Sequence, residues 1–403
     1  MPGFDPAQQL SARAQGADEG IIMRMAQAAR DLKAKGRDVV SLTVGEPDFH
    51  TPHHICEAAT AAMAKGYTHY APVAGMPELR AAVARKLQTE NGLDYQPANI
   101  VIANGAKQAI TNAVLALVGP GDEVIMLAPF WVSYEITVRF AGGTPVVLSA
   151  GVDEAYKVPV ARIAAAVTPR TKLVMLNSPC NPTGAVWTRA EMEALAQVVR
   201  GHERLMVMAD EIYEYILFDG EMVSFGSLPG MLERTVTVNG LSKGFAMTGW
   251  RLGYAAAPLP VAQAMGRMQS ITSAGANQFV QMAGVTALEG DRAAVADMRE
   301  AYRRRRDIVL SALRAMPGVA IGPIPGTFYA FPDVSGLLGR RAGNHVMDTV
   351  EALCDWLLET HGIATVPGTA FGAENSIRLS FAASDDDLHR ALTRMAGAFA
   401  SLT

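Results

Sequence analysis

Lys243 and Arg251, eight residues apart, are the side chains of this sequence best placed to do chemistry. They lie in Asn239-Gly-Leu-Ser-Lys-Gly-Phe-Ala-Met-Thr-Gly-Trp-Arg-Leu-Gly253, directly after Arg234-Thr-Val-Thr-Val238, an apolar and β-branched run that reads as a buried strand. A lysine at a strand exit, with glycine and serine around it, has room for a bulky partner and can serve as nucleophile and base. An arginine fork fits a phosphate better than a point-charge lysine does. A Lys-Gly pair in a loop is more often only solvated, so the neighbouring residues must decide. Asn104-Gly-Ala-Lys107 stands where a strand ends and a helix begins, and free N–H groups there make an anion cradle. Arg378 lies in Ser376-Ile-Arg-Leu-Ser380, an apolar strand in which a guanidinium needs an anionic partner.

Further motifs fall at other strand ends. Asn177-Ser-Pro-Cys-Asn-Pro-Thr-Gly184 is too long a match to be only an Asn-Pro turn. Ala209-Asp-Glu-Ile-Tyr213 puts a carboxylate at a strand terminus, where Asp210 or Glu211 could equally cap a helix. Trp131, in Phe130-Trp-Val-Ser-Tyr134, is either a core residue or a flat surface for a ring to stack on. Val44-Gly-Glu-Pro-Asp-Phe49 is a turn cluster, and Tyr70 lies in Tyr70-Ala-Pro-Val-Ala-Gly75.

From about residue 40 to 381 these segments resemble the class I/II aminotransferases, fold type I enzymes that use pyridoxal 5'-phosphate. Tyr-Ala-Pro-Val-Ala-Gly-Met-Pro-Glu-Leu-Arg, Phe-Trp-Val-Ser-Tyr and Ala-Met-Thr-Gly-Trp-Arg-Leu-Gly-Tyr are similar to the bacterial aspartate/aromatic subgroup. The resemblance implies that Lys243 carries the cofactor as a Schiff base and acts as the catalytic base. It implies a phosphate cup of Gly105, Ala106, Lys107, Ser242 and Arg251, with Tyr70 reaching in from a second subunit of a homodimer. It implies that Trp131 stacks on the pyridine ring and that Asp210 holds its nitrogen protonated. Asn181 and Tyr213 would donate to the phenolic oxygen. Gly45, Trp131, Asn181 and Arg378 would meet the substrate, Arg378 gripping its α-carboxylate. The activity implied is amino transfer between an L-amino acid and a 2-oxo acid with ping-pong kinetics.

Two positions depart from the family pattern. Gly240 stands where many relatives place a phosphate-binding serine, and adjacent Ser242 is the candidate substitute. The loop Gly16-Ala-Asp-Glu-Gly-Ile-Ile22 replaces small hydroxyl residues with acidic and apolar ones, which would not welcome a second carboxylate. That moves the expected substrate from aspartate toward neutral, aromatic or basic side chains. A carbon–sulfur lyase or a cyclopropane-forming synthase on the same fold would share the lysine, aspartate and arginine. A regulator of this fold needs an added DNA-binding domain, which residues 1–40 are too short and too weakly basic to supply. No Gly-x-Gly-x-x-Gly opens a helix after a first strand, which argues against a Rossmann dehydrogenase.

The elements that must position these residues follow from periodicity. Strands at 100–103, 123–127, 144–148, 172–176, 205–209 and 234–238 alternate with helices at 131–141, 159–167 and 189–200. That predicts an α/β fold with a mostly parallel sheet sandwiched by helices, and ligands at the strands' carboxyl ends. Helices at 259–270, 277–289 and 293–316 follow, then an α+β unit with strands at 328–331, 363–366 and 376–381 and helices at 346–360 and 384–400. Residues 1–20 read as an arm or loop, followed by a helix at 21–35 and a strand at 39–44. The expected division is an N-terminal arm joined to the small unit (1–47), a large cofactor-binding domain (48–316) and a small domain (317–403).

The 403 residues are half apolar, with a formal charge of −4 and a pI near 6.1, so nothing draws the chain toward nucleic acid or an acidic membrane. The basic run Arg303-Arg-Arg-Arg306 reads as a solvated or salt-bridged helix face. Three scattered cysteines, Cys56, Cys180 and Cys354, imply neither a disulfide framework nor a metal site. The start, Met1-Pro-Gly-Phe-Asp5, lacks a signal peptide pattern, and no apolar run is long enough for a bilayer span, so the expected location is the cytoplasm.

Overall fold

A strand covered on both faces needs apolar residues at every position, and that is the pattern of the runs that build the central sheet. The computed structural model describes residues 5–15 and 20–403. β1 (Val40–Ser41) belongs to the smaller unit. β2 (Ile100–Ala103), β3 (Glu123–Ala128), β4 (Thr144–Ser149), β5 (Thr171–Asn177), β6 (Met206–Asp210), β7 (Thr235–Gly240) and β8 (Gly253–Ala256) form one sheet in the order β2-β8-β7-β6-β5-β3-β4. β8 runs against both of its neighbours, β2 and β7. All other pairings in the sheet are parallel. β7 is buried along its whole length, whereas the edge strand β4 is partly exposed.

Helices cover both faces. Ala106–Leu117, Ser133–Phe140 and Leu259–Thr272 pack through Ile110, Val114, Val138 and Met265 against one side. Val160–Ala166 and Arg189–Arg200 pack through Ile163, Leu195 and Val199 against the other. The second of these starts with a capping box: Thr188 accepts from the Glu191 N–H while Glu191 reaches back to the Thr188 N–H.

The smaller unit contains β9 (Tyr329–Ala330), β10 (Arg341–Ala342), β11 (His345–Val346), β12 (Ile363–Ala364), β13 (Val366–Pro367) and β14 (Ile377–Ser380). β13, β14 and β9 make an antiparallel sheet, and β12 pairs in parallel with β1. Ser380 N–H donates to Leu42 O at 2.8 Å, so the chain after β1 lies alongside β14. Helices Val350–His361 and Asp385–Ala400 back this unit.

The α/β class and the mostly parallel sheet match the expectation, with differences in detail. The run 39–44 pairs only at Val40–Ser41, because the chain must leave β12 to reach β14. Residues 363–366 form two short strands in different sheets. The helix expected at 346–360 spans Val350–His361, with the Thr349 hydroxyl accepting from Ala352 N–H as its cap. β8 and the β10–β11 hairpin were not anticipated; β8 is four residues of Gly, Tyr and Ala without a β-branched signal. The arm at 1–20 carries short helical turns at Pro6–Gln9 and Ala12–Gln15. Residues 1–4, and residues 16–19 of the loop expected beside the substrate, lie outside the described residues. No helix among the described residues is long and apolar enough to cross a membrane.

The basic run is salt-bridged, but half of it is not solvated. Arg303 and Arg304 pair at the surface with Asp219 and Asp385. Arg305 and Arg306 are buried. Arg305 bonds Asp48 at 2.8 Å and Asp385 at 2.9 Å, and its guanidinium lies 5.2 Å from the Phe49 ring. It ties the turn after β1 to the helix Ala293–Arg314 and to the start of the C-terminal helix. Replacing it strands Asp48 beside an apolar cluster. Arg305→Ala is expected to lower unfolding stability by about 2 kcal/mol, a buried-pair loss discounted because both carboxylates remain partly solvated. Urea denaturation of the variant checks this, and an unchanged midpoint would refute it.

Candidate active site

Every strand that carries a motif ends on the same rim of the sheet. Asn177 and Asp210 are the last residues of β5 and β6, Asn104 follows β2, and Lys243 lies three residues beyond β7. Lys243 Nζ donates to Gly45 O, and the Tyr213 and Phe328 rings stand 6.0 and 5.9 Å from the amine. Burial pushes the amine down to about 8; Arg378 and Arg251 add to this, against the pull of Glu46 and Asp210.

The two glycines of the β7–β8 pair explain the departure at Gly240. Gly240 stands opposite Gly253, and a Cβ on it would lie 2.9 Å from Gly253 Cα and 3.0 Å from Leu252 O. A Cβ on Gly253 would run into the backbone of Gly105 and Ala106. The two strands and the start of the helix Ala106–Leu117 therefore meet backbone to backbone, where a serine has no room.

That helix starts at Gly105, whose φ of 83° is the left-handed region that glycine tolerates. Its first N–H groups have no acceptor within the helix. Arg251 lies across the mouth, itself held at φ 56°, and donates to Thr248 O at 3.0 Å and Asn104 O at 3.3 Å. A Cβ on Gly105 would come within 2.5 Å of the Arg251 guanidinium. The Lys107 ammonium lies 5.1 Å from the Trp131 ring and is pushed down by burial and then by Arg251. Among the described residues neither Arg251 nor Lys107 forms an ion pair with a carboxylate. Two cations and a helix N-terminus converge without a counter-charge, the donor set a dianion needs.

Asp210 is buried and held at both oxygens. Tyr134 donates its hydroxyl to Oδ2 at 2.5 Å, and Ile212 N–H donates to Oδ1 at 3.2 Å. Burial raises its carboxyl to about 6, with the Tyr134 and Ile212 bonds holding it down. Tyr134 was missed in the sequence. It stands three residues after Trp131 and packs edge-on to it at 5.6 Å, one helical turn that a reading of strand ends does not reach. Asn177 was passed over in favour of Asn181, yet it fastens the octet: its amide donates to Asp210 O at 2.9 Å, and its oxygen accepts from Asn181 N–H at 2.8 Å.

Arg378 is almost fully buried and, among the described residues, has no carboxylate partner. It donates to Asn181 Oδ1 at 3.1 Å and Thr43 O at 2.7 Å, its Nε has no acceptor, and the Tyr329 and Phe371 rings lie 4.6 and 4.8 Å from the guanidinium. The bond fixes the Asn181 amide so that its nitrogen remains the available donor. Tyr213 is buried, with its hydroxyl 3.0 Å from that of Tyr329. Ser242 is buried beside Lys243. The structure thus gathers Gly45, Gly105, Ala106, Lys107, Trp131, Asn181, Asp210, Tyr213, Ser242, Lys243, Arg251 and Arg378 at one rim. Tyr70 stands apart, 94 % exposed beside Asn104 and the 273–277 loop.

A doubly covered α/β sheet whose strand ends gather a half-buried lysine, a buried aspartate and cationic groups suited to anions defines an enzyme that works on small anionic molecules. The family is narrower. Residues 37–395 match the model for aminotransferase class I and II, and the chain belongs to that family. It is 44 % identical to the aspartate/prephenate aminotransferase of Cereibacter sphaeroides, over 93 % of this chain and 94 % of that one. The aspartate aminotransferase structure from Rhizobium meliloti superposes with a TM-score of 0.95 at 38 % identity, covering 100 % of both chains. That from Thermus thermophilus, solved with maleate, gives 0.90 at 43 % identity over 96 % of this chain and 99 % of that one. The protein is an aminotransferase, and enzymes of this family move amino groups between amino acids and 2-oxo acids with pyridoxal phosphate.

The glycine pair makes a steric prediction. Gly240→Ser should lower stability by about 2 kcal/mol through overpacking, despite restoring the residue many relatives carry. Thermal unfolding of the cofactor-free variant measures it, and a melting temperature equal to that of the parent would show that the strands can part.

Proposed function

We propose that this aminotransferase binds pyridoxal phosphate on Lys243 and acts on a dicarboxylic amino acid such as aspartate. The observation that carries the aminotransferase reading is Arg378, a buried guanidinium with an unpartnered Nε and, among the described residues, no counter-charge, in the same site as a lysine whose amine burial holds at about 8. The residues fit the cofactor. Arg251, Lys107 and the helix start at Gly105 and Ala106 would hold its phosphate, with Ser242 in place of the absent serine. Trp131 would cover its ring, Asp210 would face its nitrogen, and Asn181 and Tyr213 would donate to its phenolic oxygen. When bound, pyridoxal phosphate supplies an electron sink for the pair left by the substrate's Cα–H bond.

The chain's own residues do the rest. Arg378 takes the α-carboxylate as a bidentate pair, which turns the Cα–H bond toward Lys243. Lys243 Nζ, displaced from its resting bond, removes that proton. Asp210 stays ionised, because Tyr134 and Ile212 N–H both stabilise its anion. The second substrate, a 2-oxo acid, enters the same site after the first product leaves.

The aspartate preference rests on the relatives named aspartate/prephenate aminotransferase and departs from the expectation drawn from the loop at 16–22. We further infer a homodimer in which the exposed Tyr70 of one subunit completes the phosphate cup of the other. A cytoplasmic location and the division into 1–47, 48–316 and 317–403 complete the reading.

Single half-reactions test it. The protein is loaded with pyridoxal phosphate and given L-aspartate without an oxo acid. The cofactor should pass stoichiometrically to its amine form; an unchanged final spectrum with released ammonia would mean a lyase. Lys243→Ala should abolish the conversion, and Arg378→Ala should cut kcat/KM about a thousandfold, the loss expected from removing a buried charge pair.

Lys243 also sets a pH dependence. Its folded value of about 8 lies below the ordinary lysine value, so the fold favours the neutral amine. The neutral amine is the form that captures an aldehyde, so about one chain in ten is competent at pH 7 and most are at pH 9. The rate at which cofactor-free protein takes up pyridoxal phosphate should rise through a midpoint near 8. A midpoint above 10 would show a solvated lysine instead.

A further inference from the structure

Tyr329 stands between the lysine loop and the buried arginine, and the reaction above leaves it without a task. It is buried, and its residue pairs with Ser380 across β9 and β14, two positions along from Arg378. Its ring lies 4.6 Å from the Arg378 guanidinium. Its hydroxyl lies 3.0 Å from the Tyr213 hydroxyl and fills the space a side chain on Gly45 would need. Gly45 in turn accepts the Lys243 bond through its carbonyl. One side chain therefore touches the residues assigned to the cofactor's phenolic oxygen, the substrate carboxylate and the resting lysine.

The segment that carries it is fastened to the large sheet's loops rather than left to the small unit. Gly326 N–H donates to Gly184 O at 3.1 Å and Thr327 N–H to Ile216 O at 2.8 Å. Thr327 sits at φ 65°, a left-handed conformation that a β-branched residue adopts only when held there, and its hydroxyl accepts from Tyr329 N–H at 3.2 Å. The position of the ring is thus set from both units.

We propose that Tyr329 is a positioning residue with two separable halves: the ring is the platform that holds Arg378 flat for a carboxylate, and the hydroxyl aims the Tyr213 proton into the site. The inference rests on the roles proposed for Tyr213, Arg378 and Lys243. A phenol has one proton. If Tyr213 donates it to the cofactor, its oxygen must accept, and Tyr329 O–H is the donor 3.0 Å away. Burial keeps the Tyr329 hydroxyl protonated, so it can hold that direction. The chain Tyr329 to Tyr213 to cofactor then strengthens the last bond by polarisation. The ring does for Arg378 what a buried carboxylate would otherwise do, without competing for the fork.

Two variants separate the halves. Tyr329→Phe keeps the ring and loses the hydroxyl; Tyr329→Leu loses both. Each is loaded with pyridoxal phosphate and read by absorbance against pH and by calorimetric titration with maleate. Weaker donation from Tyr213 leaves the phenolic oxygen holding its neighbouring proton more tightly. The absorbance midpoint of Tyr329→Phe should therefore rise by about half a pH unit, with the maleate Kd within about twofold of the parent. Tyr329→Leu should weaken maleate about tenfold. A Tyr329→Phe midpoint equal to the parent's overturns the hydroxyl half even if the leucine variant does not fold. A Tyr329→Leu Kd equal to the parent's overturns the ring half. A Lys243→Ala protein with the parent's bound-cofactor spectrum would overturn the reading of Lys243 itself, a failure distinct from these two.

Discussion

A guanidinium buried without a counter-charge among the described residues is the constraint around which this protein is arranged. Arg378 has lost its water, and the chain returns only part of the compensation: one carbonyl, one amide oxygen and two aromatic faces. Those partners come from all over the sequence. Thr43 follows β1, Asn181 belongs to the octet after β5, Tyr329 is in β9 and Phe371 lies between β13 and β14. Holding the cation therefore requires the N-terminal segment, the central sheet and the C-terminal unit to be in register at once. The part left unsatisfied, Nε, is a donor suited to a carboxylate.

The same exclusion of water tunes the two groups that handle protons, in opposite directions. Burial moves Asp210 up to about 6 and Lys243 down to about 8, because in each case the charged form is the one that suffers. The outcome differs because the neighbours differ. Asp210 has two donors, Tyr134 and Ile212 N–H, and remains an anion at neutral pH. Lys243 has Arg378 and Arg251 in range, and it is brought close to the point where amine and ammonium coexist. One is built to keep its charge, the other to exchange a proton.

Much of the site was legible because its residues sit at strand ends, where a break in the apolar pattern marks a change of task. Asp210 and Arg378 interrupt or end runs that otherwise read as buried, and Asn181 and Lys243 follow such runs within a few residues. What was not legible was contact made at a distance along the chain. Tyr134 reaches Asp210 across 76 positions and Tyr329 reaches Tyr213 across 116, and each reads in the sequence as one more core aromatic. β8 was missed for a local reason, since Gly and Ala carry no strand signal. The basic run hid a similar difference: its second pair turns inward because Asp48, Asp219 and Asp385 approach from remote segments.

Gly240 shows how a departure from a family pattern can follow from packing. In this chain β8 is close enough to β7 that neither Gly240 nor its partner Gly253 can carry a Cβ, and Gly253 in turn lies against the start of the helix Ala106–Leu117. A serine at 240 would add a donor and push the helix start away from Arg251. The glycine pair gives up one hydroxyl and keeps the helix start at Gly105 against the Arg251 guanidinium. Donors on a rigid helix start carry no rotamer entropy to lose, whereas a serine hydroxyl must be fixed before it counts. Close approach of the backbone and an additional side-chain donor are thus alternative ways to furnish an anion site with donors, and this sequence has the first.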